Sequence, residues 1–274
     1  MDAVAALPPL RETIARHGLD ASKRLGQHFL LDLNLTRRIA RAAAPLGEGT
    51  IIEVGPGPGG LTRALLLEGA RHVVAVEVDP RAVAALRELQ AVSAGRLDLV
   101  EADALKVNPT SLGPAPRRIV ANLPYNISTA LLVRWLHAAD AITDMVLMFQ
   151  KEVVERLVAR PRSKDYGRLS VLAQHVCDVR RLFDVAPSAF VPPPKVTSAV
   201  ARLTPKPANQ RLADLAPLEN VTAAAFGQRR KMLRSSLANV FADPIETLAS
   251  LDLPPTARAE ELSVAAFVQL ATLA

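Results

Sequence analysis

The sequence predicts a doubly wound α/β fold, a parallel sheet with helices on both faces, followed by a small all-helical C-terminal domain. Three observations predict it. Short apolar or β-branched runs alternate with helical segments between residues 50 and 159. A glycine-rich loop over residues 55–60 stands between the first of these strands and the next helix. Beyond the polar, proline-marked stretch 204–210, only helical periodicity remains. The composition agrees: 274 residues, 50% of them hydrophobic, suffice for a core without disulfides or metal. No apolar run approaches the roughly 20 residues of a membrane span, and no signal-peptide pattern opens the chain. Cys177 is the single cysteine, which excludes an internal disulfide. A cytoplasmic protein without membrane contact is expected.

Taken in order, residues 8–17 read as a short amphipathic helix stopped by Gly18, and residues 34–44 as a second. Then come strand 50–54, helix 61–67, strand 72–78 closed by Asp79 and Pro80, helix 81–90 and strand 96–101. Strand 117–121, helix 128–137, strand 145–149 and helix 151–159 follow. Runs 179–185 and 196–203 suggest a late antiparallel edge around a proline-rich loop. Helices are expected over 218–226, 231–240, 245–251 and 264–273. These patterns divide the chain into a domain over 1–207, with 1–20 as an extension, and a helical domain over 208–274.

Charge is not spread evenly. Residues 1–150 carry net +1, residues 151–210 net +6 and residues 211–274 net −1. Such clustering points to a polyanion such as nucleic acid, or to a solvated basic face.

Gly55, Gly57 and Gly60 match a nucleotide-binding fingerprint in the required strand-loop-helix setting, with Glu77 about 20 residues on. A pyrophosphate needs a row of backbone N–H donors there. Pro56 and Pro58 each remove one, and Glu53 just before the loop repels phosphate. S-adenosylmethionine carries an ammonium and a sulfonium and no phosphate, so the loop favours it over NAD. Glu77 ends a strand where it can accept from both ribose hydroxyls. Asp103, after the next strand, is a candidate partner for an adenine amino group or an N-cap.

Asn122-Leu123-Pro124-Tyr125 ends the fourth strand. An aromatic exocyclic amine is a poor nucleophile because its lone pair is delocalised into the ring. Two acceptors aimed at its two N–H groups free that lone pair. The Asn122 side-chain oxygen can be one and the Leu123 carbonyl the other, its direction fixed by Pro124. Tyr125 can stack on a flat base. A plain proline turn with a core tyrosine is the alternative.

The stretches 53–59 and 122–125 resemble the amino-methyltransferases that use S-adenosylmethionine. More narrowly, the chain resembles the bacterial small-subunit ribosomal RNA adenine dimethyltransferases, the KsgA type. Blocks 25–30, 122–128, 150–153, 166–170, 188–196 and 226–231 carry that resemblance, which runs from about residue 20 to the end. It implies a Rossmann-like class I methyltransferase sheet and dimethylation of N6 on two adjacent adenosines. Those adenosines lie in a hairpin loop near the 3′ end of 16S rRNA, and the reaction is coupled to small-subunit biogenesis. Cofactor-lining roles follow for His28, Leu30, Gly55, Glu77, Asp103 and Asn122, to which the loop itself adds Glu53 and Gly57; position 28 is often asparagine in the family. Phe190 resembles the aromatic that stacks on the target base opposite Tyr125, since a flipped-out base needs stacking partners.

Lys151, Arg156, Arg160, Arg162, Lys164 and Arg168 form one candidate RNA-binding block. Arg229, Arg230, Lys231 and Arg234 form another, and Lys23 and Arg24 add to them. The expected partner is the small ribosomal subunit and its rRNA, and the expected state is a monomer. No metal is expected, because no cluster has ligand spacing. A DNA adenine methyltransferase and a ribosome-assembly factor with secondary methylation are the competing readings.

Overall fold

The computed structural model describes residues 3–19 and 28–274. Lys23, Arg24, Gly26 and Gln27 lie outside the described residues. The elements begin with α1 (Leu10–Arg16), β1 (Phe29–Leu30), α2 (Leu33–Ala42), β2 (Thr50–Val54), α3 (Gly60–Leu67), β3 (Val73–Glu77), α4 (Pro80–Val92) and β4 (Leu97–Glu101). Next come β5 (Arg117–Asn122), α5 (Ser128–His137), β6 (Asp144–Gln150), α6 (Lys151–Leu157), α7 (Arg168–Val176), β7 (Cys177–Val185), β8 (Phe190–Val191) and β9 (Ser198–Pro205). The chain closes with α8 (Ala216–Gly227), α9 (Leu233–Ser236), α10 (Pro244–Ser250) and α11 (Val264–Ala271).

The seven-stranded sheet has the order β4-β3-β2-β5-β6-β9-β7. Strands β4 to β6 are parallel, and β9 joins β6 antiparallel, Gln150 opposite Ser198. Every residue of β2 and β3 is buried, as expected of strands covered on both faces. The chain winds outward from β2 through β3 to β4, then returns to β5 on the other side of β2. That reversal opens a crevice at the carboxyl ends of β2 and β5, where ligands bind in open parallel sheets.

Local chemistry fixes the helices that flank the crevice. Asp79 caps α4 by accepting from the Arg81 N–H at 3.0 Å, and Pro80 occupies the first turn, where its missing donor costs nothing. Asp32 caps α2 in the same way through the Asn34 N–H at 2.8 Å. A separate ribbon pairs β1 with β8 antiparallel, Leu30 opposite Phe190.

The described chain divides into two compact units. One comprises residues 1–151 and 181–204, the other residues 152–180 and 205–274. The second thus takes in a segment that a linear cut at 207 leaves with the first. In this second unit α7, α8 and α11 pack together, and the Phe226 ring lies 5.9 Å from Tyr166 and 5.3 Å from Phe267. No described helix is long and apolar enough to cross a membrane.

Candidate active site

A cavity of about 320 Å³ opens at the carboxyl ends of β2, β3 and β5. It is lined by His28, Leu30, Glu53, Gly55, Gly57, Glu77, Asp103, Asn122, Leu123, Pro124 and Tyr125. The sequence spreads these residues over about a hundred positions, and the sheet collects them.

The loop after β2 turns on glycines at positive φ, +66° at Gly55 and +54° at Gly57. A Cβ on Gly55 would meet the Pro124 ring at 3.4 Å, and one on Gly57 would meet Phe29 at 3.0 Å. The glycines therefore let the loop approach both the acceptor tetrapeptide and β1. Its backbone donors are consumed internally. The Gly55 N–H donates to Val76 O at 2.9 Å, Gly57 to Glu77 Oε2 at 3.0 Å and Gly59 to Pro56 O at 3.0 Å, while Pro56 and Pro58 have none. Residues 55–59 thus offer no row of donors to a pyrophosphate.

Glu77 is buried, and both its oxygens serve the main chain. Oε2 takes Gly57, and Oε1 accepts from Val78 at 2.8 Å and Asp79 at 2.9 Å. Three bonds against about four lone-pair sites leave the carboxylate aimed but mostly engaged. The sequence expects it to face a ribose with both oxygens open; the structure shares them with the loop.

Glu53 is fully buried, and its Oε2 has no hydrogen-bond partner. Burial pushes its carboxyl up to about 8, with the nearby Glu77 charge adding to the effect and Thr62 opposing it. An orphaned buried carboxyl on a cavity wall suits a cationic ligand, which favours its ionised form, and gains nothing from an anionic one. With the donor-poor loop, this fits S-adenosylmethionine and does not fit a dinucleotide. Asp103 caps its own turn, Oδ1 accepting from the Leu105 N–H at 2.9 Å.

Asn122 ends β5, and its Nδ2 donates to the His28 carbonyl at 3.2 Å. That tether turns Oδ1 away from His28, and no described donor reaches it. Leu123 is buried and held by its N–H on Met148 O at 3.4 Å; its own carbonyl accepts no described hydrogen bond. Tyr125 Oη lies 2.5 Å from Ser198 Oγ, and burial holds its hydroxyl above the usual tyrosine range.

Phe190 behaves differently from the sequence expectation. It is 2% exposed, belongs to a hydrophobic core cluster with Leu30, and does not line the cavity. As placed, the ring cannot stack on a base. Sequence reasoning also missed Val78, which is 53% exposed yet lines the cavity, together with Leu105 and Ile127. An apolar residue straight after a strand-terminal acid, with no core to fill, was the available signal for Val78.

The basic residues separate by partner. Lys151 pairs with Asp184 at 3.2 Å, Arg156 with Glu152 at 3.3 Å, and Arg229 with Glu260 at 2.8 Å. Arg160, Arg162, Lys164, Arg168, Arg230, Lys231 and Arg234 are exposed, without a described acidic partner. Among the described residues no group of three or more His, Cys, Asp or Glu could hold a metal.

A doubly wound sheet with this loop, and with an amide and a free carbonyl at the end of the neighbouring strand, defines a class I methyltransferase whose methyl donor is S-adenosylmethionine. Comparison with known proteins narrows the class. The family model for ribosomal RNA adenine dimethylase matches residues 18–274, and the chain belongs to that family. It is 59% identical to ribosomal RNA small subunit methyltransferase A of Rhodospirillum rubrum, over 97% of this chain and 92% of that protein. With the protein of the same name from Paramagnetospirillum magneticum it shares 60% identity, over 98% and 95% of the two chains. Among solved structures, a dimethyladenosine transferase from Plasmodium falciparum superposes with a TM-score of 0.77 at 27% identity, covering 89% of this chain and 96% of that one. The 23S rRNA methyltransferase ErmE superposes with a TM-score of 0.65 at 26% identity, covering 89% and 98%. The chain is a ribosomal RNA methyltransferase.

Proposed function

We propose that this enzyme dimethylates N6 of two adjacent adenosines in a hairpin loop near the 3′ end of small-subunit rRNA, as a cytoplasmic monomer acting on the small ribosomal subunit. The observation that carries the reading is the pair of open acceptors at Asn122 Oδ1 and Leu123 O, on the wall of the cavity that also holds Glu53 and Glu77. The names of the close relatives support the subunit.

S-adenosylmethionine, when bound, supplies an electrophilic methyl group on its sulfonium. Glu53 and the loop at Gly55 and Gly57 favour its cationic end, Glu77 and Asp103 its polar edges, and His28 and Leu30 the near wall. Val78 and Leu105 give a flat base apolar surface. Asn122 Oδ1 and Leu123 O accept from the two amine N–H groups, which pulls the nitrogen lone pair out of conjugation. Pro124 fixes the carbonyl direction, and Tyr125 stacks on the target. Phe190 joins that clamp only if the β1–β8 ribbon shifts. Residues 1–207 carry the chemistry. Residues 208–274 and the exposed bases Arg160, Arg162, Lys164, Arg168, Arg230, Lys231 and Arg234 hold phosphates, with Lys151, Arg156 and Arg229 contributing once their carboxylates release them.

The test is transfer of tritiated methyl to undermethylated small subunits, naked small-subunit rRNA and duplex DNA in parallel. Dimethyladenosine at two neighbouring positions of the particle's rRNA is expected. Turnover confined to DNA, or to another RNA, overturns the reading.

A further inference from the structure

We propose that Ser198 is a positioning residue for methyl transfer: its hydroxyl fixes the Tyr125 ring, and so sets the plane in which the target base meets Asn122 Oδ1 and Leu123 O. The proposal rests on the acceptor reading given above. Ser198 opens β9 and is fully buried. Ala199, Val200, Ala201 and Leu203 on the same strand are buried and apolar. A hydroxyl in such a setting costs stability unless it is hydrogen-bonded, and an alanine would fill the place without that requirement. Among the described residues the Ser198 hydroxyl has one partner, Tyr125 Oη at 2.5 Å. Ser198 does not line the cavity, so its influence on the chemistry runs through that partner.

Tyr125 is held at two ends. Its carbonyl accepts from Ser128 Oγ at 3.1 Å, at the start of α5, and its phenol is bound to Ser198. A phenol oxygen is conjugated with its ring, which keeps the O–H in the ring plane. A hydrogen bond at that oxygen therefore restrains rotation of the ring about its long axis as well as the place of its tip, whichever oxygen donates. A phenylalanine ring here would keep the stacking face and lose the restraint.

The anchor and the two acceptors are registered on one strand. Met148 of β6 lies opposite Asn122, and its carbonyl accepts from the Leu123 N–H at 3.4 Å. Further along β6, Gln150 lies opposite Ser198, and the Lys151 N–H donates to Thr197 O at 2.9 Å. The amine acceptors thus hang from one edge of β6 and the anchor of the tyrosine from the other. A base stacked on the fixed ring arrives with its amine at a set height against Asn122 and Leu123. Stacking tolerates a tilt of the ring, whereas two hydrogen bonds to one nitrogen do not, so a freed ring costs rate before it costs affinity.

Single-turnover methyl transfer to undermethylated small subunits is compared for wild type, Ser198→Ala, Tyr125→Phe and the double variant, with KM for the particle and equilibrium binding of S-adenosylmethionine measured alongside. Rates are referred to enzyme competent to bind S-adenosylmethionine, so lost folded protein does not register as slower transfer. Each single change is expected to slow transfer about five-fold or more, with KM within about three-fold and the S-adenosylmethionine Kd within about two-fold of wild type. Both changes remove the same hydrogen bond, so the double variant is expected within about two-fold of the slower single one. Slowing of less than about five-fold in Ser198→Ala, effects that multiply in the double variant, or a KM or cofactor Kd beyond those limits overturns the proposal. If Ser198→Ala does not fold, Tyr125→Phe decides alone by the same limits. Wild-type enzyme without turnover on particles instead defeats the acceptor reading, and the role of Ser198 with it.

Discussion

The Gly57 N–H donates to Glu77 Oε2 at 3.0 Å, across 20 residues of sequence and two neighbouring strands. The carboxylate that ends β3 therefore fixes the loop that follows β2. It does so with its other oxygen held by Val78 and Asp79, so its aim is set before any ligand arrives. Glu77→Ala orphans three buried or half-buried main-chain donors, and a loss of about 2–4 kcal/mol in unfolding free energy is expected. Glu77→Gln keeps the shape but turns an NH₂ toward at least one donor. S-adenosylmethionine affinity should fall more than about ten-fold in both variants, by calorimetric titration. Unchanged affinity in Glu77→Gln would remove this carboxylate from the binding account.

Asn122 offers a different test, because its two ends do different work. Nδ2 is spent on the His28 carbonyl, and Oδ1 is left for the substrate. Asn122→Ala removes the acceptor that activates the amine. The expected result is a fall in kcat of about 100-fold or more, with S-adenosylmethionine Kd changing by less than about ten-fold. Single-turnover methyl transfer on small subunits reads the first number, and equilibrium binding the second. A variant that retains a tenth of wild-type kcat would assign the activation elsewhere.

Much of the sheet was legible because parallel strands buried on both faces read as uninterrupted apolar runs. Strand β2 matches its expected bounds, and β5 runs one residue further, to Asn122. The ribbon of β1 and β8 was invisible, since two residues have no period. Helix α7 was missed, because the segment around Tyr166, Gly167 and Arg168 was legible only as a block of family resemblance. The helix expected over 231–240 shrinks to Leu233–Ser236. There Leu233 N–H donates to Ala257 O at 2.8 Å and Arg234 N–H to Pro255 O at 3.2 Å, so pairing with a distant segment displaces the local pattern. Motif positions located the cavity. They could not show that Phe190 faces the core, or that Arg229 is spoken for by Glu260, because both facts depend on residues far along the chain.

Tyr166 supplies a stability test remote from the chemistry. It is 1% exposed, its hydroxyl has no hydrogen-bond partner, and burial holds that hydroxyl well above the usual tyrosine range. The ring packs edge-on to Phe226 and keeps that contact without its oxygen. Tyr166→Phe is expected to stabilise the protein by about 1 kcal/mol, a rise in Tm of about 2–4 °C. Destabilisation by a similar amount would mean that the hydroxyl has a partner in solution.

The exposed bases make a contrast with the paired one. Arg229 spends its guanidinium on Glu260 and on the Lys164 carbonyl, at 2.6 Å from the latter. Arg230, Lys231 and Arg234 face solvent. Changing these three to alanine should raise KM for small subunits about ten-fold and reduce the log–log salt slope by about 2–3. Arg229→Ala should leave the slope nearly unchanged and cost under about 1 kcal/mol of stability. Equal slope changes in both variants would erase the distinction drawn from their partners.

Glu53 gives the pH test, and its sign follows from burial. The carboxyl sits at about 8 in the folded protein against 4.5 for an ordinary glutamate, so between these values the folded chain holds a proton that the unfolded chain has released. The associated stability is complete below the unfolded value and is lost as pH rises through the folded one. Thermal unfolding from about pH 5 to pH 8.5 should therefore show Tm falling in wild type relative to Glu53→Gln, whose neutral amide does not titrate. S-adenosylmethionine adds an independent readout. A cationic ligand beside this carboxyl favours its ionised form, so binding near pH 7 should release a proton, seen as a binding enthalpy that varies with the ionisation enthalpy of the buffer. Glu53→Gln should abolish that variation. Parallel Tm curves for the two proteins, with buffer-independent binding in wild type, would show that Glu53 is already ionised in the cavity and that the carboxylate has a partner in solution.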